Sequence, residues 1–268
     1  MKRLALILTA VLVSFGLRAA DYERLEKLLG QFYETLVPET VEAKTAEFNS
    51  LISSCMDSLT RQKVALSVFD HYKESPVMGE EEVAINIYDR WFASGEIKMR
   101  SDFDKMDAEL FVNFNRSTLL GLEAPEVSLL KPCGRKKVTV PEDGKCAVLY
   151  FYDTSCAKCR AELEVLPGVL KEIDFPANFY AVFCGSDKKA WKKARKSLKF
   201  KNIDVYHLWD PEIESDYLKL YGVISTPRLY LTEPGGLIIG RRLEPESLAQ
   251  LLPTARSISN AYEETKQN

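Results

Sequence analysis

The feature that most constrains the fold is a pair of cysteines placed between an apolar strand and a helix. The run from Cys146 to Tyr152 is continuously apolar, as expected of a strand buried on both faces. Cys156 and Cys159 follow it, and helical periodicity begins at Arg160. A dithiol at a helix N-terminus lies where unpaired N–H groups and the helix dipole favour a thiolate. The pattern therefore predicts disulfide-exchange chemistry.

The start of the chain has the pattern of a secretory signal. Two basic residues precede an apolar run from Leu4 to Leu17, and small residues follow it. The run is shorter than the roughly 20 residues that a membrane-spanning helix needs. We therefore expect residues 1–20 to be a signal peptide and the mature protein to be periplasmic or otherwise exported. Arg18, close to the cleavage point, leaves an uncleaved anchor as the alternative.

Length and composition leave room for two ordinary domains. The chain has 268 residues, of which 46% are apolar, and a net charge of −3. These values exclude a disordered or nucleic-acid-coating chain. Six cysteines are too few for a disulfide-stapled scaffold. An exported dithiol must be kept in its redox state by a partner, so we expect a membrane electron donor or acceptor.

Residues 21–120 show helical periodicity and almost no strand signal. They predict an all-α domain of about five helices, separated at Ser75-Pro76 and Ser94-Gly95. Their side chains show no metal-ligand spacing, no phosphate-binding loop and no nucleophile paired with a base. A packing or docking module is the favoured interpretation, and an oligomer could form through it.

From residue 121 onwards, strands and helices alternate. The predicted elements are a hairpin of 127–130 with 137–140, strands 146–152, 178–184 and 205–208, helices following the dithiol and at 187–199 and 213–221, a hairpin of 228–232 with 237–241, and a helix at 246–252. This order is that of a thioredoxin fold. The predicted fold class is therefore an α/β thioredoxin fold over residues 121–256, preceded by the all-α domain and followed by a tail at 257–268.

Several motifs give these residues a family resemblance. They are Ala-Pro-Glu-Val at 124–127, the dithiol after its apolar strand, and Leu-Tyr-Gly-Val-Ile-Ser-Thr-Pro at 220–227. Over residues 121–252 the chain resembles exported thioredoxin-like proteins of the TlpA/ResA type. The whole chain more loosely resembles a bacterial exported group in which a helical domain of unknown role precedes the thioredoxin-like domain.

The resemblance implies a role for five residues. Cys156 would be the nucleophile and Cys159 the resolving thiol. Pro227 would be the cis-proline beside the dithiol, and the backbone of Thr226 would pair with an extended substrate segment. Glu162 would take the proton from Cys159 during resolution. The alternatives are an ordinary trans turn proline at Pro227 and a solvated helix glutamate at Glu162.

Other residues near the dithiol depart from the family or carry a weaker signal. Ser155 replaces the tryptophan that often precedes the dithiol, which removes an apolar contact surface. Glu164 stands where a kinking proline is common, and Pro167 comes later, so we expect the helix to end early. Lys158 adds a positive charge that favours the thiolate or serves only solubility. Asp153 is interpreted as a turn or cap residue first and a proton acceptor second.

The remaining cysteines have structural interpretations. Cys133 and Cys146 are candidates for a disulfide, although the strict geometry of the bond leaves the pairing open. Cys184 ends an apolar strand and Cys55 lies on the apolar face of a helix, so we expect both to be buried as small hydrophobic residues.

No cofactor other than the dithiol itself is expected. Only His71 and His207 are available to complete a metal site with the cysteines, so we expect none. The basic helix at 188–199 is interpreted as a solvated face, with no nucleic-acid partner. The predicted function is thiol–disulfide oxidoreduction on protein thiols and disulfides, in the reductase direction. A disulfide isomerase and a binding protein with an inert dithiol are the alternatives.

Overall fold

The computed structural model describes residues 19–132 and 136–267. All but the last two residues of the predicted signal peptide, and also Cys133, lie outside the described residues. The chain divides into two compact units between Val112 and Asn113. Within the described residues, no helix combines the length and the apolar character needed to cross a bilayer.

The first unit is helical, as predicted. Its helices are α1 (Ala19–Leu36), α2 (Val41–Ser54), α3 (Ser58–Lys73), α4 (Glu81–Ile87), which continues in a π-helical turn (Tyr88–Ala93), and α5 (Asp102–Asn113). Side-chain caps begin three of them: Thr40 accepts a hydrogen bond from the amide of Ala43, Asp57 accepts one from Thr60, and Ser101 accepts one from Asp104. Buried aromatic rings such as Phe48 form its core.

The second unit contains a seven-stranded sheet. Its elements are a 3₁₀ turn (Arg116–Thr118), β1 (Val127–Leu130), β2 (Lys137–Val140), β3 (Cys146–Tyr152), α6 (Ala157–Lys171), β4 (Ala177–Phe183), α7 (Lys188–Ala194), β5 (Asp204–Trp209), α8 (Tyr217–Leu220), β6 (Arg228–Thr232), β7 (Ile238–Gly240) and α9 (Pro245–Gln267). The strand order is β2-β1-β5-β4-β3-β6-β7. Strands β3, β4 and β5 are parallel, and the other neighbouring strands pair antiparallel.

Strand β3 lies inside the sheet and is buried along its whole length. Because side chains alternate along a strand, its residues divide between two cores. One core contains Cys146, Val148, Tyr150 and Tyr152 with residues of α6, α7 and α9. The other contains Ala147, Leu149 and Phe151 with residues of α8. This double burial explains the continuous apolar run, and it fixes the end of β3 from which the dithiol loop leaves.

Helix α6 does not end early, so that prediction is wrong. It runs from Ala157 to Lys171 with Pro167 inside it. A proline costs the helix one hydrogen bond, but Leu166 and Leu170 are fully buried on either side of it. Their burial offsets the lost bond and keeps the chain helical.

Two other helices differ in length from the prediction. Helix α9 extends to Gln267 and includes the described part of the predicted tail, because Ala255 and Ser259 are buried. Conversely, the helix predicted at 213–221 is reduced to the four residues of α8. Ile213 and Asp216 have φ values of 53° and 54°, which are incompatible with a right-handed helix.

The boundary between the units also differs from the predicted one at residue 120. Residues 113–120 belong to the second unit, because their polar groups bond to it. The Ser117 hydroxyl donates to the Leu220 carbonyl at 2.6 Å. The guanidinium of the buried Arg241 donates to the Asn115 side chain at 3.0 Å.

Among the glycines that the structure describes in the second unit, Gly222 is the one whose added Cβ would meet the nearest atom. It has a φ of 56°, and an added Cβ would lie 2.1 Å from the Phe114 carbonyl oxygen. Gly222→Ala should therefore lower the free energy of unfolding by roughly 2–4 kcal/mol, measured by denaturant titration. Gly168→Ala is the matched control, because it is helical with nothing within 4 Å and should stabilise by about 0.5–1 kcal/mol. A Gly222→Ala protein as stable as the parent would contradict this account.

Candidate dithiol site

A short turn carries the chain from β3 into α6. The carboxylate of Asp153 accepts a hydrogen bond from the Ser155 amide at 2.9 Å, and its carbonyl accepts one from the Cys156 amide at 3.2 Å. Asp153 is thus a turn residue in the structure. Cys156 is the N-cap of α6, and its Sγ accepts a hydrogen bond from the Cys159 amide at 3.3 Å.

Cys156 is a half-buried free thiol. Desolvation by itself raises the pKa of Cys156, but several hydrogen bonds together outweigh it, and the largest of them come from Cys159. The Thr226 side chain and the Lys158 backbone add to the effect, and the resulting pKa lies below the ordinary value for a cysteine. This is the behaviour expected of a thiol at a helix N-terminus. The Cys156 Sγ also lies 3.2 Å from the Thr226 carbonyl oxygen, to which the thiol can donate.

Cys159 has the opposite character. It is fully buried, and burial raises the pKa of its thiol to about 11. The negative charge of Cys156 contributes in the same direction. At neutral pH the site therefore combines an accessible sulfur that ionises readily with a hidden sulfur that keeps its proton.

Glu162 lies one turn after Cys159 on the buried face of α6 and is only 6% exposed. Burial raises the pKa of its carboxyl group, and the nearby Lys158 lowers it in part. Within the described structure, neither carboxylate oxygen has a hydrogen-bond partner. A pocket of about 210 Å³ between α6 and the start of α9 is lined by this residue. Glu162 is therefore not a solvated helix glutamate, which was the alternative interpretation.

One prediction from the sequence is that the positive charge of Lys158 favours the Cys156 thiolate. In the structure, the ammonium group of Lys158 lies beside carboxylates instead. It donates to Glu244 at 2.8 Å and lies 3.9 Å from the Glu162 carboxylate. The Lys158 contribution to the lowered pKa of Cys156 comes from its backbone N–H. Glu244, which sequence reasoning missed, follows β7 far along the chain, and no local signal connects it with Lys158.

The Thr226–Pro227 peptide bond is cis, and Pro227 is buried. Thr226 is half-buried, whereas Ser225 is exposed and Ile224 has 65% of its surface exposed. The structure thus brings Thr226 to Cys156 and leaves an apolar side chain on the surface two residues earlier. Ile224 was not singled out by the sequence; an apolar residue within a turn motif was the available signal.

The other cysteines have environments unlike that of Cys156. Burial raises the pKa of Cys55 to about 11 and that of Cys146 to about 12. Cys146 is a free thiol that lies 3.9 Å from the Ala255 carbonyl oxygen. Cys184 is half-buried, and desolvation raises its pKa to about 12. Cys55 and Cys146 are thus buried, whereas Cys184 is less buried than expected.

The part of the chain that the structure describes contains no group of three His, Cys, Asp or Glu side chains placed to hold a metal ion. Burial lowers the pKa of His207 to about 4, so its ring is neutral. The dithiol as the sole redox group stays a prediction.

Comparison with known proteins identifies the fold. No family model matches the sequence, and no curated protein matches it either. A thioredoxin-like protein from Bacteroides caccae is similar in structure, with a TM-score of 0.67 and 13% identity over 87% of this chain and 84% of that one. The thioredoxin domain of a thiol-disulfide oxidoreductase from Bacteroides vulgatus has a TM-score of 0.43 and 22% identity over 51% of this chain and 97% of that one.

A thiol:disulfide interchange protein from a Bacteroides species gives a TM-score of 0.44 and 23% identity over 53% of this chain and 92% of that one. At these identities the likeness concerns the fold alone. The predicted fold class is confirmed: a helical region is followed by an α/β domain of the thioredoxin-like fold.

Alkylation kinetics test the asymmetry between the thiols. Because only the thiolate reacts, the alkylation rate of Cys156 with iodoacetamide should rise with pH through a midpoint below the value of about 8.5 for a free cysteine. Peptide mapping by mass spectrometry gives the rate at each sulfur, and a Cys159→Ser background keeps the capping amide. Cys184 in the same protein is the internal control and should react only at higher pH. A Cys156 midpoint at or above that of free cysteine would contradict the geometry.

Proposed function

We propose that this protein is an exported thiol–disulfide oxidoreductase that reduces disulfides in protein substrates. The observation that supports it best is that the two sulfurs differ in accessibility and in the direction of their pKa shifts. Cys156 caps a helix, is accessible and has a lowered pKa, whereas Cys159 is buried and has a raised one. Nucleophilic attack needs the first property, and a resolving thiol that waits for the mixed disulfide has the second.

In the first step the Cys156 thiolate attacks one sulfur of a substrate disulfide. A bond forms between Cys156 and that sulfur, and the substrate disulfide breaks. The second substrate sulfur leaves as a thiolate. The helix N-terminus that stabilises the Cys156 thiolate also makes it a good leaving group, because thiols of low pKa leave faster.

The second step requires Cys159 to lose its proton. Glu162 is the candidate acceptor, because it lies on the same buried face of α6 and burial raises the proton affinity of its carboxylate. The Cys159 thiolate then attacks Cys156, the mixed disulfide breaks, and the substrate leaves as a thiolate. Two electrons have passed from the dithiol to the substrate, and a membrane dithiol donor is needed to reduce the Cys156–Cys159 disulfide again.

Substrate binding is assigned to the segment before Pro227. The Thr226 carbonyl lies within hydrogen-bonding distance of the Cys156 thiol. Once Cys156 is bonded to substrate sulfur, its S–H no longer exists, and this carbonyl can accept from the backbone of an extended substrate segment. The exposed Ile224 side chain offers an apolar contact beside it.

Insulin reduction with dithiothreitol as electron donor tests the activity. Cys156→Ala should reduce the catalysed rate to that of dithiothreitol alone, because the attacking sulfur is gone. Cys184→Ala is the matched control and should keep the parental rate, since burial keeps that thiol protonated. Equal rates with Cys156→Ala and with the parent would support the alternative, a binding protein whose dithiol is inert.

The reduction potential tests the direction. As a reductase, the protein should have a potential close to that of thioredoxin, about −270 mV, measured by equilibration with glutathione buffers or a redox reference protein. A value near −180 mV would support the isomerase instead. Sedimentation of the full chain tests the same alternative in a second way, because an isomerase that uses the helical domain to dimerise would sediment as a dimer.

A further inference from the structure

Tyr150 lies directly beneath the start of the dithiol helix. It belongs to β3, and its side chain has no exposed surface. Strand alternation directs it into the core that also contains Cys159 and the buried face of α6. Its ring stacks on that of Tyr152, with centroids 5.5 Å apart and planes 8° from parallel.

Among the described residues, several polar atoms in and beside this core make no hydrogen bond, and two of the groups concerned lie close to the dithiol. Within the described structure, the Tyr150 hydroxyl has no hydrogen-bond partner, and neither carboxylate oxygen of Glu162 has one. Buried polar groups are almost always satisfied, so a concentration of unsatisfied ones beside a reactive group points to a role in the chemistry. No hydrogen bond joins the Glu162 carboxylate to the Cys159 sulfur either. Direct transfer from Cys159 to Glu162 would need a side-chain rearrangement, as would transfer through Tyr150.

The Tyr150 hydroxyl lies near both groups, because besides desolvation a side-chain contact with Glu162 and the charge of Cys159 each act on its pKa. Desolvation raises the pKa of Tyr150, and negative charge on Glu162, Cys159 and Cys156 raises it further, in that order of size. The phenol therefore stays protonated, and the carboxylate and the resolving thiol are its strongest charged neighbours. Catalytic hydrogen bonds are often open in a resting enzyme and close during the reaction, so the relay requires a side-chain rotation that closes the contacts of Tyr150 with both groups.

We propose that Tyr150 relays the proton from Cys159 to Glu162 during resolution of the mixed disulfide. The Tyr150 O–H bond breaks as its proton passes to the Glu162 carboxylate, and the Cys159 S–H bond breaks as its proton passes to the phenol oxygen. The products are the Cys159 thiolate and protonated Glu162, with Tyr150 unchanged. The step needs no oxidant or reductant. It rests on the proposed function, because it refines the second step of that reaction.

Tyr152 provides the matched control. It is also fully buried, and its hydroxyl is likewise without a partner in the described structure. Apart from desolvation, however, the groups that act most on the pKa of Tyr152 are Cys184 and Arg195, and Cys159 comes after them. Removing either hydroxyl makes the same change in the same stacked pair, but only Tyr150 connects the thiol with the carboxylate.

Reaction of the reduced protein with excess 5,5′-dithiobis(2-nitrobenzoate) separates the two steps, because attack by Cys156 releases one thionitrobenzoate and resolution by Cys159 releases a second. Tyr150→Phe should leave the first stopped-flow phase unchanged and slow the second at least about tenfold near pH 7. The defect should shrink as the pH rises towards the Cys159 pKa of about 11. Tyr152→Phe should change neither phase.

Other outcomes overturn the relay. A second phase of parental rate in Tyr150→Phe does so, as does equal slowing in Tyr152→Phe. Glu162→Gln should slow the same phase, and the double variant should be no slower than the slower single variant; additive losses would mean independent roles. An absent first phase in the parent protein would instead count against the proposed function.

A measurement on the parent protein covers the case in which Tyr150→Phe does not fold. The rate of the second phase is followed in mixtures of light and heavy water. A relay moves two protons together, so the rate should depend on deuterium content along a curve. A straight line, which indicates a single proton in flight, would overturn the proposal.

Discussion

The hydrogen bond from the Cys159 amide to the Cys156 sulfur contributes both to the stability of the fold and to the reactivity of the dithiol. The same contact caps α6 and stabilises the thiolate, so helix stability and reactivity share one donor. Because the folded pKa of Cys156 is lowered, its stabilisation of the reduced protein is complete only above the pKa of an unfolded cysteine, about 8.5, and is lost as the pH falls through the folded value. At neutral pH only part of it is present.

Burial of β3 on both faces supplies the second constraint. Strand alternation sends Tyr150 and Tyr152 towards α6 and sends Leu149 and Phe151 to the opposite core. A shift of one residue would place Leu149 or Phe151 under the dithiol helix, which would then have no hydroxyl near its buried sulfur. The parallel pairing of β3 with β4 also brings the loops after both strands to one edge of the sheet. For this reason the Cys184 thiol, which follows β4, senses the charge of Cys159.

Much of the fold and of the candidate site could be predicted from the sequence, because their strongest features are local patterns. The limits of β3 and the position of the dithiol follow from an apolar run and its spacing. The features that could not be predicted depend on contacts between distant residues. Leu166 and Leu170 hold α6 together across Pro167 only because a sheet lies beneath them. Pairing of Lys158 with Glu244 requires α9 to begin beside α6. The burial of the Glu162 carboxylate without a hydrogen bond in the described structure emerges only when its whole surroundings are known.

The substitution of Ser155 for an aromatic residue has a consequence for substrate recognition under the proposed function. Ser155 is exposed and polar, so the loop before Cys156 offers no apolar surface. The exposed apolar residue nearest in sequence to Thr226, which we propose faces the substrate, is Ile224. Recognition of an apolar side chain would then come from the same segment that bonds to the substrate backbone. Thr226 is held at Cys156. A substrate that contacts both Thr226 and Ile224 would therefore be aligned along the segment before Pro227 before its sulfur reaches the thiolate. This alignment would lower the entropy lost in the attack.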